Sequence, residues 1–159
     1  MDITNGEGIG VSLFVQGCPF HCLNCFNPDT WDGNKGRNWT EDTENGFIEL
    51  AKRPYIKRIS ILGGEPLWNP NQYEIFLLCK KIKTVFPNKK IWLYSGYTYE
   101  QIIQSREKRK VLYYIDVLVD GQYIDSQRDV TLAFRGSRNQ RLIDVKKTLE
   151  NNKIVLLNL

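Results

Sequence analysis

Arg58-Ile59-Ser60-Ile61-Leu62-Gly63-Gly64-Glu65-Pro66, then a helical pattern over residues 72–86 and Ile91-Trp92-Leu93-Tyr94-Ser95, is the stretch that decides the fold. The first run reads as a strand halted by two glycines and a proline. In the second, Ile75, Leu78, Cys79, Ile82 and Phe86 follow the three-four spacing of an amphipathic helix. The third is again rich in aliphatic and aromatic residues and reads as a strand. Strand, helix and strand in this order form a β-α-β unit, whose strands run parallel through a crossover helix.

The same alternation extends in both directions. Residues 11–16 (Val-Ser-Leu-Phe-Val-Gln) predict a strand ending at Gly17, and the polar stretch 27–38 reads as a loop. Thr40 is placed to cap a helix over residues 41–52, with Phe47, Ile48 and Ala51 on one apolar face. Beyond the central unit, residues 99–105 suggest a short helix and 117–119 a strand. For residues 142–149 helix and strand remain alternatives, because β-branched and charged residues alternate over part of the stretch. Residues 154–157 are a candidate terminal strand. No repeat, low-complexity segment or linker interrupts the chain, so the expectation is a single α/β domain over residues 1–159.

Composition narrows the class. With 159 residues, 42% hydrophobic and 25% charged, the chain can bury roughly 68–70% of its unfolded surface in one core. Those values exclude a disordered tail, a collagen-like repeat and a disulfide-dense miniprotein. A net charge of +4, from 22 basic and 18 acidic residues, predicts no nucleic-acid surface but allows an acidic partner or an anionic ligand. No apolar stretch approaches the length of a membrane span, and no basic segment precedes an apolar one as in a secretory signal. The expected setting is the reducing cytoplasm, with no membrane association. There, clustered cysteines more often bind metal or do chemistry than pair as disulfides.

Three of the four cysteines form the segment Cys18-Pro19-Phe20-His21-Cys22-Leu23-Asn24-Cys25, directly after a predicted strand. Three thiolates from one loop fall short of a closed structural zinc site, which takes four ligands. A four-iron cluster usually takes four cysteines as well, so three leave one iron open for a ligand from outside the protein. The competing reading is a small zinc loop completed by His21, although His21 and Cys22 are adjacent and joint ligation would strain the loop. Cys79 could be a fourth ligand, but it lies on the apolar face of the predicted helix and reads as core. The second motif, Gly63-Gly64-Glu65-Pro66, has a plain reading as a strand-ending turn. Its glycines also allow close backbone approach to a ligand at a strand's carboxyl end, with a carboxylate beside them.

With these two motifs in this order, each after a strand, the sequence resembles the radical S-adenosylmethionine superfamily. The resemblance implies a partial, open (βα) barrel and one 4Fe-4S cluster per chain held by Cys18, Cys22 and Cys25, with S-adenosyl-L-methionine on the unique iron. It implies that Asn24, Cys25 and Phe26 lie against the adenine, with Phe26 as the packing aromatic. It further implies that Gly63, Gly64 and Glu65 form the turn in which Gly64 and Glu65 hold the α-amino group. Ser95 and Asp120, at strand ends, are candidates for the ribose and carboxylate contacts. Three more stretches are similar to one branch, the activating enzymes of anaerobic ribonucleoside-triphosphate reductase. They are Cys25-Phe26-Asn27-Pro28-Asp29-Thr30-Trp31, Tyr94-Ser95-Gly96-Tyr97, and residues 116–121 with Phe134-Arg135-Gly136-Ser137-Arg138-Asn139-Gln140-Arg141. Gly6-Glu7-Gly8 fits as well.

That branch implies reductive cleavage of S-adenosylmethionine by an electron from a flavodoxin-type donor. A 5′-deoxyadenosyl radical then removes hydrogen from a glycine of the reductase large subunit and leaves a glycyl radical. Because the cofactor carries such chemistry, no acid–base pair is expected in the chain. The alternatives are an activase of another glycyl-radical enzyme, such as pyruvate formate-lyase, and a non-catalytic iron–sulfur or zinc protein. Arg135, Arg138 and Arg141, and the run Arg106 to Lys110, read either as docking charges or as solvated faces. Trp31, Trp39 and Trp68 are candidate interface anchors, with Trp31 and Trp68 also placed to wall the site.

Overall fold

The computed structural model describes residues 1–159. Its frame is a five-stranded sheet in the order β1-β2-β3-β4-β5, with β1 at Gly10–Val15, β2 at Arg58–Gly63, β3 at Lys90–Ser95, β4 at Val117–Asp120 and β5 at Arg141–Asp144. The first four strands are parallel, and β5 joins β4 antiparallel. Four helices accompany them: α1 (Glu41–Lys52), α2 (Asn69–Val85), α3 (Tyr99–Gln104) and α4 (Val145–Asn151). The fold is therefore α/β with a mostly parallel sheet, as the alternation predicts. The antiparallel fifth strand departs from it.

The helix boundaries have local causes. Thr40 accepts a hydrogen bond from the Thr43 N–H and caps α1, as expected. Helix α2 begins at Asn69, three residues before the predicted start, because Pro70 fits the first turn, where no backbone N–H is required. Thr98 and Gln101 form a reciprocal capping box on α3. The ambiguous stretch 142–149 divides at Asp144, which ends β5 and caps α4 by accepting from the Lys147 N–H. The terminal residues 154–157 form only an isolated bridge, Ile143 to Leu156, rather than a strand.

The two faces of the sheet are covered differently. Val11, Ile59, Ile61, Ile91, Leu93, Leu118 and Ile143 alternate onto one face and pack with Phe47, Ala51, Ile75, Leu78, Ile82, Ile102 and Val145 from all four helices. Cys79 lies fully buried in this core, as its helix position implied. On the opposite face Trp92, Val117, Val119 and Leu142 pack with Tyr94, Phe134 and Leu157. Beside them lies Arg58, only 1% exposed, beneath the N-terminal segment. With every helix on one face and strands β1 to β4 in sequential order, all strand carboxyl ends except that of β5 open on the same edge.

Candidate metal centre

The carboxyl edge gathers the sequence motifs into one place. The loop after β1 is tied down through its backbone: the Gly17 N–H donates to Thr30 O at 2.8 Å, and the Cys18 N–H to Trp31 O at 3.1 Å. The turn after β2 locks to that loop, because the Gly64 N–H donates to Val15 O (2.8 Å) and the Glu65 N–H to Gly17 O (2.7 Å). Phe20, between the first two cysteines, packs its ring edge-on against Tyr97 after β3, at 4.8 Å between centroids. Cys22 Sγ lies 3.9 Å from Gln122 Oε1, beyond β4. Four strand ends thus meet around one loop.

Cys18, Cys22 and Cys25 are free and half-buried on that loop, while Cys79 is buried in the core. Burial pushes the Cys18 and Cys22 thiols above their ordinary range, so the charge of bound iron is what would draw them to thiolates. No three His, Cys, Asp or Glu side chains are gathered tightly enough to hold a single metal ion. An iron–sulfur cluster sets its thiolates on separate irons and so spaces them more widely than the ligands of one ion. His21 stands in a left-handed conformation with its ring stacked flat on Trp31, at 4.7 Å and 21°. The donor set, three sulfurs from one loop and a fourth cysteine committed to the core, fits a cluster with one open iron.

Aromatic and polar groups surround the cysteine loop. Phe26 is 60% exposed, with its ring against Tyr123 at 5.1 Å and the Arg128 guanidinium 5.7 Å from its centroid. Asn24, left-handed like His21, donates from its amide to Asp125 Oδ2 at 3.0 Å. The Gly64 carbonyl accepts no hydrogen bond from the protein and remains free for a cationic donor. Glu65 is 1% exposed, and burial raises its carboxyl to about 7 against the opposing hydrogen bonds of the Leu67 and Gly96 N–H groups and the Ser95 hydroxyl. Those three donors leave about one of the carboxylate's four lone-pair positions unfilled.

Several sequence expectations change here. Ser95 and Asp120 do not offer free side chains. The Ser95 hydroxyl donates to Glu65, and Asp120, 1% exposed, accepts from the Tyr99 N–H and from Arg141. Of the arginine triplet, Arg141 is committed to Asp120 and Glu100, whereas Arg138 keeps an exposed side chain 3.8 Å from Asp129. Lys108 points to Asn69 and Gln72 with its ammonium over the Tyr97 ring, and Lys110 pairs with Glu107. Trp31 and Trp68 do wall the cysteine loop, Trp68 lying against Gly17 and Gly33, whereas Trp39 packs on Phe47 of the core.

Sequence pattern does not single out Tyr123, Asp125 and Arg128, because the long loop after β4 has no periodicity. The one signal was the stretch from Gly136 to Gln140. Gln140 accepts from the Gly136 and Ser137 N–H groups and donates to Gly121 O, while Asn139 donates to Gln122 O. This doubled-back loop holds Gln122 to Asp125 beside the cysteines.

Close packing at Gly64 gives a test of how the site is assembled. A Cβ there would collide with the Gly17 carbonyl and come within 2.9 Å of Thr30 O, both backbone atoms that no rotamer change can move. Gly64→Ala is therefore expected to lose most of its iron on desalting after anaerobic reconstitution. Gly46→Ala, on α1 with nothing within 4 Å, should keep its iron and melt higher, by about 0.5–1 kcal/mol of stability.

An α/β domain with three loop thiols at the carboxyl edge of a parallel sheet defines an iron–sulfur protein of single-cluster type. A family model described as "4Fe-4S single cluster domain" matches residues 4–143. The chain is 40% identical over 142 residues to the anaerobic ribonucleoside-triphosphate reductase-activating protein of Vibrio cholerae, covering 88% of this chain and 90% of the relative. It is 38% identical over 141 residues to the protein of that name from Enterobacteria phage T4, covering 89% and 87%. The Escherichia coli K12 protein, also so named, is 37% identical over 142 residues, covering 88% and 91%. The chain belongs to this family of 4Fe-4S single-cluster, anaerobic ribonucleoside-triphosphate reductase-activating proteins.

Proposed function

We propose that this chain activates an anaerobic ribonucleoside-triphosphate reductase by generating a glycyl radical in its large subunit. In this reading residues 1–159 act as one domain in the cytoplasm, with S-adenosylmethionine as co-substrate and a flavodoxin-type protein as electron donor. The observation that carries it is the meeting of the three-cysteine loop with the Gly64–Glu65 turn on one sheet edge. Family membership supports the same reading.

Cys18, Cys22 and Cys25 would hold the cluster, and when bound it supplies the electron for reductive cleavage of S-adenosylmethionine. The remaining work belongs to the chain's own groups. The Gly64 carbonyl and the last lone pair of Glu65 would accept from the ligand's ammonium, which in turn favours the ionised carboxylate over its burial cost. Phe26 would offer its exposed ring to the adenine beside Asn24 and Cys25, backed by Tyr123. Trp31 and Trp68 exclude water from one flank of the loop.

A partial, open (βα) barrel is part of the proposal. Sequential strand order with all helices on one face supports this reading over a doubly wound sheet. An open wall would leave room at the site for a substrate that is itself a protein segment. Anaerobic EPR of this protein with S-adenosylmethionine, a reductant and the reductase should show a glycyl doublet together with release of 5′-deoxyadenosine. An intact, reducible cluster that gives neither would reject the assignment.

A further inference from the structure

The turn at the end of β3 touches both halves of the site. Ser95, 5% exposed, donates from Oγ to Glu65 Oε1 at 2.9 Å, and the next residue's N–H, from Gly96, donates to Glu65 Oε2 at 2.7 Å. Ser95 Oγ also accepts from the Tyr97 N–H at 3.1 Å, so the hydroxyl's proton and one of its lone pairs are both in use. On the other side of the turn, Phe20 of the cysteine loop lies so close to Gly96 that a Cβ there would stand 2.5 Å from its ring. One three-residue turn therefore fixes the Glu65 carboxylate and abuts the loop that carries the thiols.

We propose that Ser95 is a positioning residue, which sets S-adenosylmethionine affinity by holding the Glu65 carboxylate, and with it the Gly64–Glu65 turn, in register with the cysteine loop. This rests on the reading that the Gly64–Glu65 turn binds S-adenosylmethionine. It replaces the expectation that Ser95 contacts the ligand itself. A buried carboxylate held from two sides has one orientation. Without the hydroxyl, Oε1 keeps only the Leu67 N–H and the carboxylate is free to turn about its remaining contacts. Loss of a buried hydrogen bond to a charged group should weaken ligand binding about tenfold or more.

The test is equilibrium dialysis of S-adenosylmethionine against anaerobically reconstituted holoprotein, with iron content and thermal melting measured on each variant. Ser95→Ala should bind at least about tenfold more weakly with its iron retained, and Ser95→Thr, which keeps the hydroxyl, should recover most of the affinity. The double variant Ser95→Ala with Glu65→Gln should bind no more weakly than Glu65→Gln alone, because Ser95 acts only through Glu65. Additive losses in the double variant would overturn the proposal, as would full affinity in Ser95→Ala beside weakened Glu65→Gln. Full affinity in Glu65→Gln would instead reject the underlying reading of the turn. Should Ser95→Ala fail to fold, Ser95→Cys, with similar volume and a weak donor, carries the same cycle.

Discussion

Cys18→Ser, Cys22→Ser and Cys25→Ser should each abolish iron binding after anaerobic reconstitution, while Cys79→Ser should retain about four irons per chain. The contrast follows from where the four thiols sit. Three are half-buried on a loop pinned by backbone hydrogen bonds to Thr30, Trp31 and the Glu65 turn. The fourth is enclosed by the core between α2 and the sheet, where burial pushes its thiol up to about 12. A thiol so reluctant to ionise is a poor ligand and a good packing group. Its replacement should be felt in stability instead. A serine hydroxyl without a partner in that core costs about 1–3 kcal/mol, so Cys79→Ser should melt lower than Cys79→Ala of equal iron content. Iron analysis and melting on the same samples separate the two effects. Loss of iron from Cys79→Ser, or its retention in any of the loop variants, would reassign the ligands.

What the sequence discloses and what it conceals divide along physical lines. Periodicity exposes whatever is set by burial: the crossover helices, the strands of the parallel sheet and the placement of Cys79 in the core. Cys18, Cys22, Cys25 and Gly63 to Glu65 stand out as candidates because their spacing is short and their chemistry narrow, and the structure brings them to one sheet edge. Ser95 and Asp120 end their strands as the sequence implies, yet which way a strand-end side chain turns depends on partners elsewhere. For Ser95 the partner is a carboxylate 30 residues away, and for Asp120 an arginine 21 residues away. Tyr123 and Asp125 carry no sequence signal for a related reason, since a loop held by Gln140 and Asn139 has no period to read. Arg58 is the clearest case. It is a charged residue at the start of a strand, and what buries it is mostly backbone, which has no signature in sequence.

That arginine is the site of the largest expected loss of stability. Its guanidinium donates to the carbonyls of Asp2, Asn5, Glu7 and Gly8, at 3.0, 2.8, 3.3 and 3.3 Å, and also reaches the Asp2 carboxylate and the Ser60 hydroxyl. Gly6 allows the segment to lie this close, since a Cβ there would stand 2.5 Å from Arg58 Cδ. Replacing a whole buried ion pair by apolar groups can be neutral, but removing one partner leaves the others desolvated and unpaired. Arg58→Met does the second: the Glu7 and Gly8 carbonyls lose their donor, and the Asp2 and Asn5 carbonyls and the Asp2 carboxylate each lose the charged one among theirs. It should lower stability by about 3–5 kcal/mol, roughly 6–20 °C in Tm for a chain of this size. Lys52→Met, which breaks an exposed pair with Glu49, should change stability by less than about 1 kcal/mol. Asp2 adds a pH signature. Burial alone would raise its pKa, but hydrogen bonds from Ser12, Thr4 and Asn5 outweigh it and hold the carboxyl below the ordinary value of 3.8. A depressed carboxyl stabilises the fold above its ordinary pKa and loses that contribution as pH falls through the depressed value. The Tm gap between the unaltered chain and Asp2→Asn should accordingly be full at neutral pH and narrow below about pH 4. An Arg58→Met protein that melts with the unaltered chain would mean that the N-terminal segment finds other donors, and that the arginine is not what fastens it to the sheet.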